Sequence, residues 1–439
     1  MPLFQNEFLK QEGWPIMMKK FVSLLLVLCM IIGLVPALSG CSSSQYDSLP
    51  DSYNAETDYP YMFPAMDTEK AITPSEDGYY FRLGDFLFYM DAESKEVVPL
   101  CNRPDCQHLK EKSPSEIWKC NAYMGQTMFS QIQYYDAKLY CTSSFSKEKM
   151  ISSIALSDFL TEVSADSAYR ETIAPIKSGT GSSAFYIHRG YLYTALNSTE
   201  TDGKTPRFEL NRVSLEKVGK EEPEVLFEGA FSGPYTILYG NHFYLGAHVE
   251  DEESSDTYTL CTYDYNIKTK QVKLITKGKY PVGIIDGKLL LRRPIYDEEP
   301  TEVQTYLYDP DAEQETDYLT IPKTEGMASS LDTDGTYLYF FECPREVANE
   351  ASGEWNLFIY DLSGNCIKKE NLSVLPDIIY FSSGDDRYAF ILSVSYGEKE
   401  RFRAVTILDK QNNFSYETVC KYDESLLHPK VSMDLSADS

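Results

Sequence analysis

The chain has 439 residues, with 40 Lys and Arg against 67 Asp and Glu, a formal net charge of -27. A field of that sign repels phosphate backbones and excludes nucleic acid as a natural partner. With 43% hydrophobic and 13% aromatic residues the chain is too apolar to be a disordered protein. Tyr is the outlier at 34 copies against 3 Trp, and Tyr favours strands.

In chain order, Met17-Met18-Lys19-Lys20 precedes an apolar run from Phe21 to Ala37, then Leu38-Ser39-Gly40-Cys41. Two lysines, a short apolar segment and small residues before a cut site read as a secretory signal, 17–40. The run contains Gly33 and Pro36 and is marginal for a membrane span. Leu38–Cys41 resembles the bacterial lipobox. That resemblance implies export, cleavage before Cys41, diacylation of Cys41, and a membrane location facing outside the cytoplasm. Residues 1–16 sit awkwardly before a complete signal. Glu12-Gly13 can be encoded as a ribosome-binding sequence with Met17 at start-codon spacing, so 1–16 reads as an over-extended start. Residues 41–68 are rich in Ser, Asp, Pro and Tyr without a period and read as a solvated tether.

From residue 69 to 422 one motif recurs. A turn residue leads into an aromatic or aliphatic strand at Gly78-Tyr79-Tyr80-Phe81, Ala137-Lys138-Leu139-Tyr140, Gly190-Tyr191-Leu192-Tyr193, Asn241-His242-Phe243-Tyr244, Gly287-Lys288-Leu289-Leu290, Gly335-Thr336-Tyr337-Leu338-Tyr339 and Asp386-Arg387-Tyr388-Ala389-Phe390. A later strand ends in an apolar or Tyr residue followed by Asp or Ser: Met90-Asp91, Leu156-Ser157, Val213-Ser214, Tyr263-Asp264, Tyr308-Asp309, Tyr360-Asp361 and Leu408-Asp409. Asp or Ser there can fold back onto the backbone and start a turn. Units of about fifty residues with four short strands have the length of a propeller blade. The expected fold is all-β, a single propeller of about seven four-stranded blades, with a C-terminal tail at 423–439. A pair of β-sandwiches is the competing architecture, and the near-constant period disfavours it.

Cys101, Cys106, His108 and Cys120 fall within twenty residues, inside an insertion at 101–128. Three thiolates and one imidazole can close a tetrahedral structural zinc site. The alternatives are a disulfide with a spare thiol, as suits an exported protein, and thiols that simply stay reduced. Cys141, Cys261, Cys343, Cys366 and Cys420 are scattered over separate repeats and read as small buried hydrophobes. The lipobox, the Tyr-Asp strand ends and the block Leu100–His108 with Cys120-Asn121-Ala122 together resemble the propeller-like lipoproteins of Gram-positive gut bacteria. The resemblance covers nearly the whole mature chain and implies no activity.

No Gly-x-Ser-x-Gly elbow, phosphate loop or His-Glu-x-x-His occurs, so no catalytic residue is assigned. Asp309-x-Asp311-x-Glu313 lacks the Gly of a calcium loop and reads as a solvated turn. In a meander, second-to-third-strand loops and blade-to-blade links share one end. The long segments 196–206, 246–257, 292–304 and 341–355 are expected there, with Gly84-Asp85 and Asp286-Gly287 at the other end. Trp118, Trp355, Asp251, Glu252, Glu253 and Asp256 are the candidate ligand-binding residues. The expected function is a cell-surface binding module for a protein or glycan, held to the membrane by a lipid on Cys41. The alternative is an extracytoplasmic propeller hydrolase or lyase acting on a polymer such as a glycan or peptide.

Overall fold

The computed structural model describes residues 49–63, 72–110, 113–117, 119–125, 131–143, 157–164, 170–177, 183–199, 206–251, 254–294, 301–344, 355–372, 378–396 and 401–429. Residues 1–16 and 17–40 and Cys41, on which the start, signal and lipid expectations rest, lie outside these.

Within them the chain forms seven four-stranded antiparallel sheets, each made of four consecutive strands. Sheet 1 occupies 72–99, sheet 2 132–177, sheet 3 183–229, sheet 4 232–277, sheet 5 280–322, sheet 6 327–371 and sheet 7 378–423. They form a β-propeller. The packing accounts for the ring. Each of seven hydrophobic clusters joins residues of two neighbouring sheets, and one of them joins sheet 7 to sheet 1. Tyr339 and Phe341 enter the cluster with sheet 7, whereas Leu338 and Phe340 enter the one with sheet 5. Successive side chains on a strand point to opposite faces. Both faces are buried here, so the second strands read as unbroken apolar runs rather than alternating ones.

The fourth strand of each sheet lies at its edge, and those of sheets 3 to 7 are mostly exposed or half-buried, as in Cys366–Asn371 and Gln271–Lys277. In sheets 2 to 7 the pairing of third and fourth strands carries a register shift. Such bulges add twist where the outer strand leaves the packed faces. Among the described residues no strand crosses the junction of sheets 7 and 1. Side chains close it: the Tyr79 and Phe390 rings lie 4.8 Å apart, Tyr79 donates to Asp385 at 2.5 Å, and Tyr388 donates to the Ala92 carbonyl at 3.0 Å.

The Asp strand ends act as expected in several sheets. Asp91 accepts from the backbone of Glu93 and Ser94, Asp309 from Asp311 and Ala312, and Asp361 from Ser363 and Asn365. Two assignments shift. Ser157 begins the third strand of sheet 2 rather than ending it; that strand runs to Ser164. In sheet 4 the turn is held by Asn266, which accepts from Lys268 and Thr269, while Asp264 bonds His242.

Both chain segments flanking the ring differ from expectation. Residues 50–63 are a strap packed on the propeller, not a solvated tether. The C-terminal segment is not a free tail at its start: Glu424–Leu427 forms a helical turn, and Leu427 is fully buried against sheets 1 and 7. Residues 430–439 lie outside the described set.

Candidate metal centre

The insertion begins where the last strand of sheet 1 (Val97–Pro99) ends. It returns over sheet 1 through short backbone contacts. The Leu87 amide donates to the Ala122 carbonyl at 2.8 Å, and the Met124 amide donates to the Asp85 carbonyl at 2.7 Å. Ile117, Cys120, Ala122 and Tyr123 are buried in the same cluster that joins sheets 7 and 1. The insertion is therefore pinned to the propeller rather than hanging from it.

The fold brings all four expected ligands together. One donor atom each of Cys101, Cys106, His108 and Cys120 lies within 4.8 Å of the others. A zinc ion with bonds of about 2.3 Å to sulfur would hold the thiolates roughly 3.8 Å apart, so a small contraction suffices. The backbone is built for thiolates as well. Each sulfur takes a hydrogen bond from the amide two residues on: Arg103 to Cys101, His108 to Cys106 at 3.4 Å, and Ala122 to Cys120. Cys101 also takes the Asn121 amide. Such outer hydrogen bonds orient ligands and stabilise their charged form. The His108 Nδ1 lies 3.7 Å from the Cys120 sulfur, and His108 is held at a left-handed φ of 53°.

The thiols are electrostatically linked. A hydrogen bond from Cys120 is the main force pushing the Cys101 thiol well below the ordinary thiol range. Cys120 is pushed up, first by that same bond to Cys101 and then by burial, and burial pushes up Cys106. The arrangement stabilises one thiolate between two protonated thiols. A divalent ion would displace the remaining protons and share the sulfurs. The eight described cysteines are all free thiols. Four of the five outside this cluster are buried, as expected, but Cys366 is exposed at the rim.

Among the described residues, Trp355, Asp251 and Asp256 belong to other sheets than the one that carries this cluster. Trp355 is half-buried against the cluster between sheets 6 and 7, and its carbonyl accepts the Leu372 amide at 2.7 Å. Trp118, Glu252 and Glu253 lie outside the described residues. Asp251 pairs with Ser254 at a tight hairpin tip, and Asp256 is within a strand. The described part of segment 246–257 is thus strand, because His248, Val249 and Glu250 continue the ladder against Leu260, Thr259 and Tyr258. Gly84-Asp85 also changes class. It joins the second and third strands of sheet 1, so it lies at the same end as the long segments. There Asp85 meets the C-terminus: its amide donates to the Leu427 carbonyl at 3.0 Å, and its carboxylate faces His428 at 3.1 Å. Hydrogen bonds to Asp85 and Glu424 push His428 up to about 9.

The strap occupies the opposite end. It runs across the first-to-second-strand turns. The Arg189 guanidinium pairs with both Asp58 oxygens at 2.7 and 3.0 Å and donates to the Pro50 and Ser52 carbonyls and to Asn241. Asp58 and Arg189 are both buried. The Tyr59 amide donates to His188 Nδ1 at 3.0 Å, and the other ring nitrogen bonds the Gly240 carbonyl at 2.7 Å. Burial pushes His188 down to about 4, so the ring is neutral, accepting at one nitrogen and donating at the other. Tyr53, Tyr61 and Tyr239 form a ring cluster, and Phe63 is buried beside Phe390. The density of aromatic residues in Asp58-Tyr59-Pro60-Tyr61-Met62-Phe63 was the signal that distinguished this stretch from a linker.

No protein-family model matches the sequence, and no curated protein matches it. Solved structures match at low identity. The tricorn protease matches with 12% identity over 86% of this chain and 36% of its own, at a TM-score of 0.48. A structure from a study of two prolyl endopeptidases matches with 12% identity over 89% and 55%, also at 0.48. An oligogalacturonate lyase in complex with manganese matches with 13% identity over 84% and 91%, at 0.45. The chain spans about a third of the first of these proteins and about half of the second. At these identities the likeness concerns the fold alone.

Proposed function

We propose that this chain is a surface-tethered propeller that works as an interaction module, with a structural zinc ion in its insertion. The lipid sits on Cys41 and holds the protein on the outer side of the cell membrane. Cys101, Cys106, His108 and Cys120 hold the zinc, which supplies a cross-link for a loop too short to build its own core. The capture face is the end bearing the second-to-third-strand turns and the sheet-to-sheet links. The observation that carries this reading is the position of the insertion. It is pinned at that end on Asp85 and Leu87, whereas the protein's own strap covers the other end.

The partner is a cationic protein segment or a glycan. The acidic tip at Asp251, Glu252, Glu253 and Asp256 supplies steering, and Trp118 and Trp355 supply aromatic anchors. Rigid scaffolds commonly bind through such loops. The test uses the soluble chain from residue 42, a cationic peptide and purified wall glycans as probes. Neutralising the four acids should weaken capture of the peptide, and the effect should shrink in high salt. Trp355→Ala should weaken capture with a smaller loss of stability. Binding that survives both changes and disappears on altering the strap end would refute the assignment. Cleavage of a probe would move the function to the propeller-hydrolase or lyase reading.

A further inference from the structure

We infer that the metal centre is the clasp of the propeller ring: an ion on Cys101, Cys106, His108 and Cys120 locks the insertion across the junction of sheets 7 and 1, so that metal loading controls how firmly the ring is closed. The inference rests on the zinc reading of the cluster and adds a role that the reading does not contain.

Among the described residues each sheet is built from four consecutive strands. Sheets 7 and 1 are therefore held together by side chains and by whatever lies across both. The insertion does so. On the side of sheet 1, the Leu87 amide donates to the Ala122 carbonyl, the Met124 amide donates to the Asp85 carbonyl, and the rings of Phe86 and Tyr123 are 5.1 Å apart. On the side of sheet 7, the turn His108–Lys110 packs against the C-terminal turn Glu424–Leu427. That turn directly follows the last strand of sheet 7, Ser415–Asp423. It is tied back to the sheet by Arg403, which donates to both Glu424 oxygens at 2.8 and 3.1 Å. Leu427 completes the link to sheet 1. Its carbonyl accepts the Asp85 amide at 3.0 Å, and a Cβ on Gly84 would lie only 2.7 Å from its own Cβ.

The four ligands divide between these attachments. Cys101 stands just after the last strand of sheet 1, and Cys120 stands two residues before Ala122, which holds Leu87. Cys106 leads into the turn that meets the C-terminal segment, and His108 begins it. Cys120 is buried in the cluster that joins sheets 7 and 1, and Cys101, Cys106 and Leu109 pack against it. One ion on all four ties the sheet 1 attachment to the sheet 7 attachment. Ile117, Ala122 and Tyr123 are buried in that same cluster, so the insertion is ordered by the junction rather than by a core of its own. For such a segment, metal-binding free energy is also ordering free energy. Whatever orders the insertion then stabilises the closed junction. By linkage, the closed junction must raise metal affinity by the same factor.

The test uses the purified full chain under reducing conditions, zinc-loaded or stripped with a chelator, and reads hydrogen exchange peptide by peptide. Removing zinc should speed exchange in peptides covering 84–88 and 424–428 by about ten-fold or more. A peptide covering Lys288–Arg292, whose Leu289 and Leu291 lie in the cluster between sheets 4 and 5, should not change. In the reciprocal arm, Leu427→Ala removes no ligand atom yet should weaken zinc binding several-fold against a competing chelator. His428→Ala, a milder cut at the Asp85 contact, gives the same readout if Leu427→Ala does not fold. Unchanged exchange at the junction, an equal rise in all three peptides, or a zinc affinity indifferent to these variants would overturn the clasp. If the parent chain binds no zinc, the zinc reading is what fails, and the clasp falls with it.

Discussion

Replacing Arg189 with Met should release the strap before it unfolds the propeller. Arg189 is held by two bonds to Asp58, one to Asn241 and two to strap carbonyls. Methionine fills much of the same volume but leaves the Asp58 carboxylate buried without its cation. Breaking one side of a buried pair costs about 3–5 kcal/mol, because the stranded charge stays desolvated. The strap can lower that cost by undocking and exposing Asp58 to water. The loss should therefore appear first as chymotryptic cleavage at Tyr59, Tyr61 or Phe63 under native conditions. It should appear second as a fall in the urea midpoint of the soluble chain by roughly 1 M if the strap unfolds with the ring. Asp58→Asn alone should be comparably damaging, and adding it to Arg189→Met should cost much less than the sum of the two, since the second change no longer strands a charge. If Arg189→Met stays within about 0.5 kcal/mol of the parent, as an ordinary surface change would, and the strap resists cleavage, the buried-pair argument is refuted.

Gly240→Ala should release the strap by steric means alone, because the added methyl meets the Asp51 carbonyl and Gly240 sits at a φ of 57°; cleavage at the strap with an intact near-ultraviolet spectrum would show it. Purified protein should carry about one zinc per chain, and Cys106→Ser or Cys120→Ser should lower both metal content and stability; disulfides joining Cys101, Cys106 and Cys120 in metal-free protein would refute the site. Stability should fall on both sides of about pH 6.5, for separate reasons. His188 is held down to about 4 by burial. Its contribution is present above its unfolded value near 6.5, is lost as pH falls toward 4, and amounts to roughly 3 kcal/mol at full size. His428 is raised to about 9 by Asp85 and Glu424, so its contribution is present below 6.5 and is lost as pH rises through 9. Urea midpoints across pH 4–10 should show both limbs, and His428→Ala should flatten the alkaline one only.

The chain itself determined the all-β class, the repeat and the four residues of the candidate metal site. These are local properties: a turn residue before an apolar strand, an Asp at a strand end, and three Cys and a His close together in sequence. The apolar second strands were legible because both faces of each sheet are buried, which leaves no polar alternation to blur the pattern. What the tertiary structure decided were contacts between residues far apart in the chain. Asp58 and Arg189 lie 131 positions apart, and nothing local marks them as partners. Leu427 and His428 find Asp85 across more than three hundred positions. Gly84-Asp85 and Asp286-Gly287 look alike as turn dipeptides, yet the topology puts them at opposite ends of the ring. A short turn carries no local record of which strands it joins, so the end of the propeller to which it belongs is settled only when all four strands of the sheet are paired.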